Sequence, residues 1–504
     1  MTLHFPSELL LIIFNFAVHT SYEPADQPDS PSFDMSVSSA LADIWDGLTG
    51  IRKDAEYPES QIQPGVIAHT TNPFTPLHIS HVCKDWRDIA FSASELWTSI
   101  YVADGMASTP HLLRLWLRNS RSQPLDIVFR DTPNGSSGDT ILEMIEMAAK
   151  HSVRWRTFKV RLGRHRLPMV EVKKALHGIV TPRVQTLAFS FNPTELGDTQ
   201  FDDLWTSLIA NAPKLQELQM WSTKYSEDFV SAMPFDRLTC ITLVMVCFEG
   251  GTLFWQALRG CNVLRTLAIS FSLSPGDLPW LFTQPPSSSA AVSIPSLRHL
   301  RLIGASDLCV LLLGLHLPSL SYLTMHTHHT HLRYMRRLTT DVYIALEDFL
   351  TRSQCRLLSF KIRDEREGGF EMRVSPILRH FALRDLVELR LGSAVGKKTL
   401  GLLVRRQTGG SHLQFLKHIE LDALVAGDGI PFAGLVAGMA ASRSCDSRPA
   451  ANLAFLAVGF LSRTQLILEM RAWNDYIAEE GDLKVEKVFY YASGAELVLN
   501  ALGD

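Results

Sequence analysis

The sequence is poor in cysteine: seven in 504 residues, an odd number, with no C-x-x-C pair. That excludes the usual ligand spacing of a structural zinc site and the even framework of a disulfide-stapled secreted domain, and it suits a reducing compartment. An excess of charge is also lacking. Forty-eight basic and 52 acidic residues leave a formal net charge of −4, so nothing draws the chain generally to nucleic acid or an anionic membrane. Long apolar runs are absent too. The stretch that most invites that reading, "LLLIIFNFAV" at 9–18, has ten residues where a membrane span needs about 20. No Lys or Arg precedes it and no small-x-small site follows it, which argues against a signal peptide. G-x-S-x-G, H-E-x-x-H and G-x-G-x-x-G do not occur. The expectation is a chain without a catalytic site, metal or cofactor of its own.

What is present falls into regions, as expected of a chain too long for one core. At the N-terminus Pro6 suits a first helical position and Glu8 a first turn, while Leu9, Leu10, Ile13, Phe14 and Ala17 share a helical face. Residues 21–74 are rich in Pro, Ser, Asp and Glu and are expected to be a disordered insertion, with one short helix at 39–48. Thr75 and Pro76 then read as N-cap and first position of a new helix. In "VCKDWRDIAFSASELW" (82–97), Val82, Trp86, Ile89 and Ala90 fall at i, i+4, i+7 and i+8. That is one helical face, opposite Lys84, Asp85, Arg87 and Asp88, with Leu96 and Trp97 folding back after it. Residues 104–150 form an α/β connection through "WLRNSRSQPLDIVF" (116–129).

From 151 to the C-terminus a ladder recurs. "PRVQTLAF" (182–189), "PKLQELQM" (213–220), "PSLRHLRL" (295–302) and "PSLSYLTM" (318–325) share P-x-L-x-x-L-x-L with single substitutions. Looser copies begin at 237, 262, 355, 384, 414 and 451. The x-L-x-L alternation predicts short strands with one face buried. Helical patterns lie between them: "FDDLWTSLIANA" (201–212) places Phe201, Leu204, Trp205, Leu208 and Ile209 together, and "DVYIALEDFLTR" (341–352) starts at a capping Asp341. The fold class expected is α/β, a split helical module followed by an irregular leucine-rich-repeat solenoid. The other reading of the ladders is an ordinary α/β domain with several parallel strands.

Together, "FPSELLLIIFNF" and "VCKDWRDIAFSASELWTSI" resemble the F-box, whose usual form is L-P-x-E-L-L-x-x-I-F, then V-C-x-x-W-R-x-x-A, then L-W. Pro6, Glu8, Leu9, Leu10, Ile13 and Phe14 match the first part. Val82, Cys83, Trp86, Arg87, Ala90, Leu96 and Trp97 match the rest. With leucine-rich ladders behind it, the chain looks like a fungal-type F-box protein, the module covering 1–20 and 75–103. The resemblance implies a non-catalytic adaptor that docks on the Skp-family subunit of a cullin–RING ubiquitin ligase and recruits a protein substrate through its C-terminal region. It would be intracellular, cytoplasmic or nuclear, with no nucleic-acid or membrane partner. The Skp contacts implied are Pro6, Leu9, Leu10, Ile13, Phe14, Val82, Cys83, Trp86, Leu96 and Trp97, and Leu11, Ile12 and Phe16 are left over once the inner face of the first helix is assigned. Phe5 departs from the family leucine, and the insertion splits the module. A leucine-rich scaffold whose F-box remnant no longer binds the ligase is the alternative.

Three further features invite a site. "GSAVGKKT" (392–399) has three residues between its glycines and Lys398 before Thr399. A phosphate-binding loop needs four residues there and Ser/Thr directly after the first lysine, so this reads as a turn leaving a strand. Four histidines at 326, 328, 329 and 331 split two and two on an extended chain, short of a tetrahedral metal site. Finally, the residues between and flanking the ladder leucines face outward. Gln219, Trp221, Arg301, His326, Lys361, Arg363 and Arg390 are the candidate substrate contacts, and their mainly basic character predicts an acidic or phosphorylated ligand.

Overall fold

A computed structural model of the chain describes residues 6–19, 65–67, 75–103, 108–130, 138–162, 169–191, 202–221, 227–246, 251–271, 291–304, 307–327, 341–364, 369–404, 413–424, 435–443, 453–460, 463–480 and 485–491. They divide into two compact units, one up to residue 249 and one from 250 onward.

The first unit begins with α1 (Ser7–His19), β1 (Gly65–Ile67), α2 (Pro76–Ser80), α3 (Lys84–Ser92) and a 3-10 turn at Ser94–Trp97. Strands and helices then alternate: β2 (Ser99–Ala103), α4 (Thr109–Asn119), β3 (Leu125–Arg130), α5 (Gly138–Ala149), β4 (Trp155–Leu162), α6 (Met169–Leu176), β5 (Thr186–Phe191), α7 (Asp202–Ala210), β6 (Glu217–Trp221), α8 (Glu227–Ala232) and β7 (Cys240–Val246). From β2 to β7 each strand pairs with the next in parallel, which requires a crossover between them that the helices supply. The alternation runs through residue 150 without a break. The insertion needs a correction: Gly65–Ile67 pairs antiparallel with β2, covering an edge whose N–H and C=O groups would otherwise be open. The rest of 21–74, including the helix expected at 39–48, lies outside the described residues.

The second unit contains α9 (Gly251–Arg259), β8 (Thr266–Phe271), β9 (Val292–Ser293), β10 (His299–Gly304), α10 (Asp307–Gly314), β11 (Leu315–His316), β12 (Tyr322–Thr327), α11 (Val342–Ser353) and β13 (Ser359–Asp364). It continues with α12 (Phe370–Leu378), β14 (Glu388–Val395), α13 (Lys397–Leu403), β15 (His418–Leu424), α14 (Leu435–Arg443), β16 (Phe455–Phe460), α15 (Arg463–Glu480) and β17 (Glu486–Tyr491). β8, β10 and β12 to β17 form a parallel sheet in chain order, and β9 pairs with β11 apart from it. The architecture of both units is therefore mixed α/β with parallel strands.

Every ladder read from the sequence is a strand, β5 to β8, β10 and β12 to β16. Their leucines line the interior: Leu300 and Leu302, Leu323 and Met325, Phe360 and Ile362, Leu389 and Leu391, Ile419 and Leu421 are all buried. β4 carries the same pattern in aromatic form, with Trp155, Phe158 and Val160 buried and Trp155 stacked on Phe158 at 3.8 Å. Asp341 caps α11 by accepting from the Tyr343 N–H at 3.1 Å.

A recurring arginine joins successive helices. A helix leaves its last carbonyls without intrahelical donors, and in three places the next crossover supplies one. Arg154, after α5, donates to Leu117 O of α4 and to Gln123 O. Arg352 in α11 donates to Leu312 O in the last turn of α10 and to Leu315 O just beyond it. Arg443 in α14, fully buried, donates to Leu403 O of α13 at 2.6 Å and to Leu413 O at 2.8 Å.

Candidate partner-binding surfaces

The two halves of the N-terminal module meet through aromatic rings. Phe14 of α1 packs edge-on against Trp86 of α3 at 4.9 Å. His19 Nε2 lies 3.2 Å from Glu95 O, and its Nδ1 lies 3.4 Å from Ser99 Oγ. Thr75 caps α2 in a reciprocal box with His78, and the Cys83 sulfur caps α3 by accepting from the Trp86 N–H at 3.4 Å. Trp97 is wholly enclosed: it stacks on Phe91 at 5.4 Å, meets Trp116 edge-on at 5.0 Å, and donates from Nε1 to Ala90 O at 2.8 Å.

Among the residues expected to contact an adaptor, Phe14, Leu96 and Trp97 are buried and belong to the interior of the module. Leu10 and Trp86 are half-buried, whereas Pro6, Leu9, Ile13, Val82 and Cys83 are exposed. The inner face of α1 is also rotated from the one expected. It turns in Phe14 and Val18, and exposes Leu9 and Ile13. A helix apolar on nearly every side has no rotation fixed by periodicity; the Phe14–Trp86 contact sets it. Val82 lies on the turn before α3 rather than on its apolar face, because the helix starts at Lys84. The outcome is a stripe of exposed apolar residues at i, i+3, i+4 and i+7: Leu9, Ile12, Ile13 and Phe16, with Ile12 65% and Phe16 70% exposed.

The second surface is the strand face of the second unit. Arg301, Thr324, Lys361, Arg390 and Glu420 stand in register on β10, β12, β13, β14 and β15. This row is not a bare basic strip, which corrects the sequence reading. Lys361 Nζ lies 2.6 Å from Glu388 Oε1, and Arg390 Nη2 lies 3.1 Å from Glu420 and 3.4 Å from Asp422. Burial pushes the Glu388 pKa up, but the Lys361 ammonium and hydrogen bonds from Lys361 and Ser359 together bring it below its ordinary value. His326 is buried, in register with Arg363, so it does not stand out from the sheet as an outward residue would. The Arg363 stem crosses Gly392 so closely that a Cβ there would meet it at 2.8 Å. The Trp221 side chain and His328, His329 and His331 lie outside the described residues. The carboxylates missed by the sequence reading occupy the same positions between and beside the ladder leucines, in "ELRL" (388–391) and "HIELD" (418–422).

The loop at 392–399 has its anion already. Gly392–Val395 continue β14, and Gly396 caps α13. The N–H groups of Gly396 and Thr399 donate to Glu371 Oε1 of α12 at 3.1 and 2.7 Å, where a bound phosphate would otherwise accept. Among the described residues no group of three or more His, Cys, Asp or Glu side chains is placed to hold a metal, and no helix is long and apolar enough to cross a membrane. No protein-family model matches the chain, and no curated protein matches it in sequence.

Proposed function

We propose that the chain is a non-catalytic substrate-recognition subunit that binds a Skp-family adaptor, and through it a cullin–RING ubiquitin ligase, and recruits a protein substrate. The observation that carries this reading is the exposed Leu9, Ile12, Ile13 and Phe16 stripe on α1. Large apolar side chains aligned on one face of a helix in an F-box-like block are a surface for a partner of the same character. The module is split in sequence, yet loop closure costs only about 0.6 kcal/mol per doubling of length, and the Phe14–Trp86 contact supports a joined module. The strand–helix alternation behind it is read as an irregular leucine-rich solenoid, supported by ladder strands in chain order and by the arginines that link successive helices. The intermixed Lys361, Glu388, Arg390, Glu420 and Asp422 favour a substrate segment of mixed charge over a purely acidic one.

The test is gel filtration of the purified full chain with a purified Skp-family adaptor. Co-elution, abolished by substitutions in the α1 stripe, is the expected result. Separate elution of a well-folded chain would overturn the reading and leave a leucine-rich scaffold.

A further inference from the structure

In the first unit a cleft of about 400 Å³ opens between α4 and the end of α5, lined by Arg114, Leu117, Arg118, Met147, Lys150 and His151. Its floor is apolar, since Leu117 and Met147 are buried, and its rim is basic. Arg114 and Arg118 stand one helical turn apart on α4, so both reach the same side. Arg114 is tied to Glu143 at 2.6 Å. Arg118 and Lys150 are exposed and have no carboxylate partner among the described residues. Behind them Arg154 is already committed to Gln123 O and Ser120 Oγ, and its pKa is lowered by burial and by the charge of Arg183. Positive charge is therefore concentrated beyond what the local carboxylates balance, around a pit that is apolar at its base.

We propose that this cleft binds an organic anion: a compact apolar body, such as an aromatic ring, carrying one phosphate monoester group. The ring would rest on Leu117 and Met147, where sulfur–aromatic contact is favourable, and the phosphate would take charge-assisted hydrogen bonds from Arg118 and Lys150. The inference stands apart from adaptor binding, because none of these residues lies on α1, α2 or α3.

Calorimetric titration of the full chain with phenyl phosphate in low salt tests it. Saturable single-site binding is expected, weakening by about tenfold in the Arg118→Ala, Lys150→Ala double variant. Glu143→Gln, which frees Arg114, should tighten binding several-fold, a gain that misfolding cannot produce. Inorganic phosphate should bind more weakly than phenyl phosphate. No binding of phenyl phosphate, equal binding by inorganic phosphate, or unchanged binding in the double variant would each overturn the proposal. A phosphotyrosine peptide binding more tightly than phenyl phosphate would support a ligand presented on a protein; a weaker one would support a free small molecule.

Discussion

Replacing Ile12 and Ile13 with alanine should separate binding from folding. Each substitution removes three carbons, worth about 2.4 kcal/mol on full burial at about 0.8 kcal/mol per methylene. Ile12 is 65% exposed and Ile13 49%, so about 1.6 and about 1.2 kcal/mol of that remain for a partner to claim. Together they predict a loss of about 100-fold in affinity for the adaptor, at about 1.4 kcal/mol per decade. The already buried share is lost to folding, but alanine's better helix propensity returns about 0.4 kcal/mol at each position. The net cost to stability is then near 1 kcal/mol. Trp97→Ala is the contrast: a fully buried ring is lost and Ala90 O loses its donor, at about 3–5 kcal/mol. Adaptor affinity by calorimetry, with urea unfolding followed by circular dichroism, gives both quantities. Undiminished adaptor binding by a folded Ile12→Ala, Ile13→Ala chain would refute the assignment of the α1 stripe.

Acid should destabilise the fold through its histidines. Burial is the first cause holding His151, His299 and His380 below their ordinary value of 6.5, so the unfolded chain takes up protons first. This contribution is complete above the unfolded pKa and is lost as pH falls below it. The urea midpoint should therefore drop between about pH 7.5 and about pH 5.5, and by less in His299→Phe, which keeps a ring against Tyr322. Arg373→Met should cost roughly 3–5 kcal/mol in urea unfolding, because Asp364 is enclosed and loses its 3.0 Å ion pair. Arg443→Met should cost about 2–5 kcal/mol by the same measurement, since it deprives two buried carbonyls of their donors. Glu388→Gln should cost no more than about 1 kcal/mol, and less as salt is raised, because Lys361 and Glu388 are both more than one-third exposed.

The parts of the fold legible in the sequence are those that one segment determines alone. An L-x-L alternation commits a strand and its buried face, so the ladders from "PRVQTLAF" to "ANLAFLAV" each yield a strand, and Thr75 and Asp341 declare their helix starts. β4 escaped because its ladder is written in Trp, Phe and Val. The rotation of α1 was illegible for a different reason: its apolar residues encircle the helix, and a distant tryptophan decides which of them is enclosed.

Charge balance belongs to the same class of pairwise facts. Lys361 and Glu388, Arg390 and Glu420, and Glu371 with the Gly396 and Thr399 amides each join residues on neighbouring elements. No single ladder carries that information. This governs how the strand face can be probed. Arg390→Glu would set a new carboxylate against Glu420 and Asp422, so substrate lost from that variant would report repulsion within the sheet as well as a missing contact. Arg390→Gln removes the cation without adding a like charge. Substrate capture retained in the glutamine variant and lost in the glutamate variant would place the effect in the face's own electrostatics, whereas loss in both would assign Arg390 a direct contact.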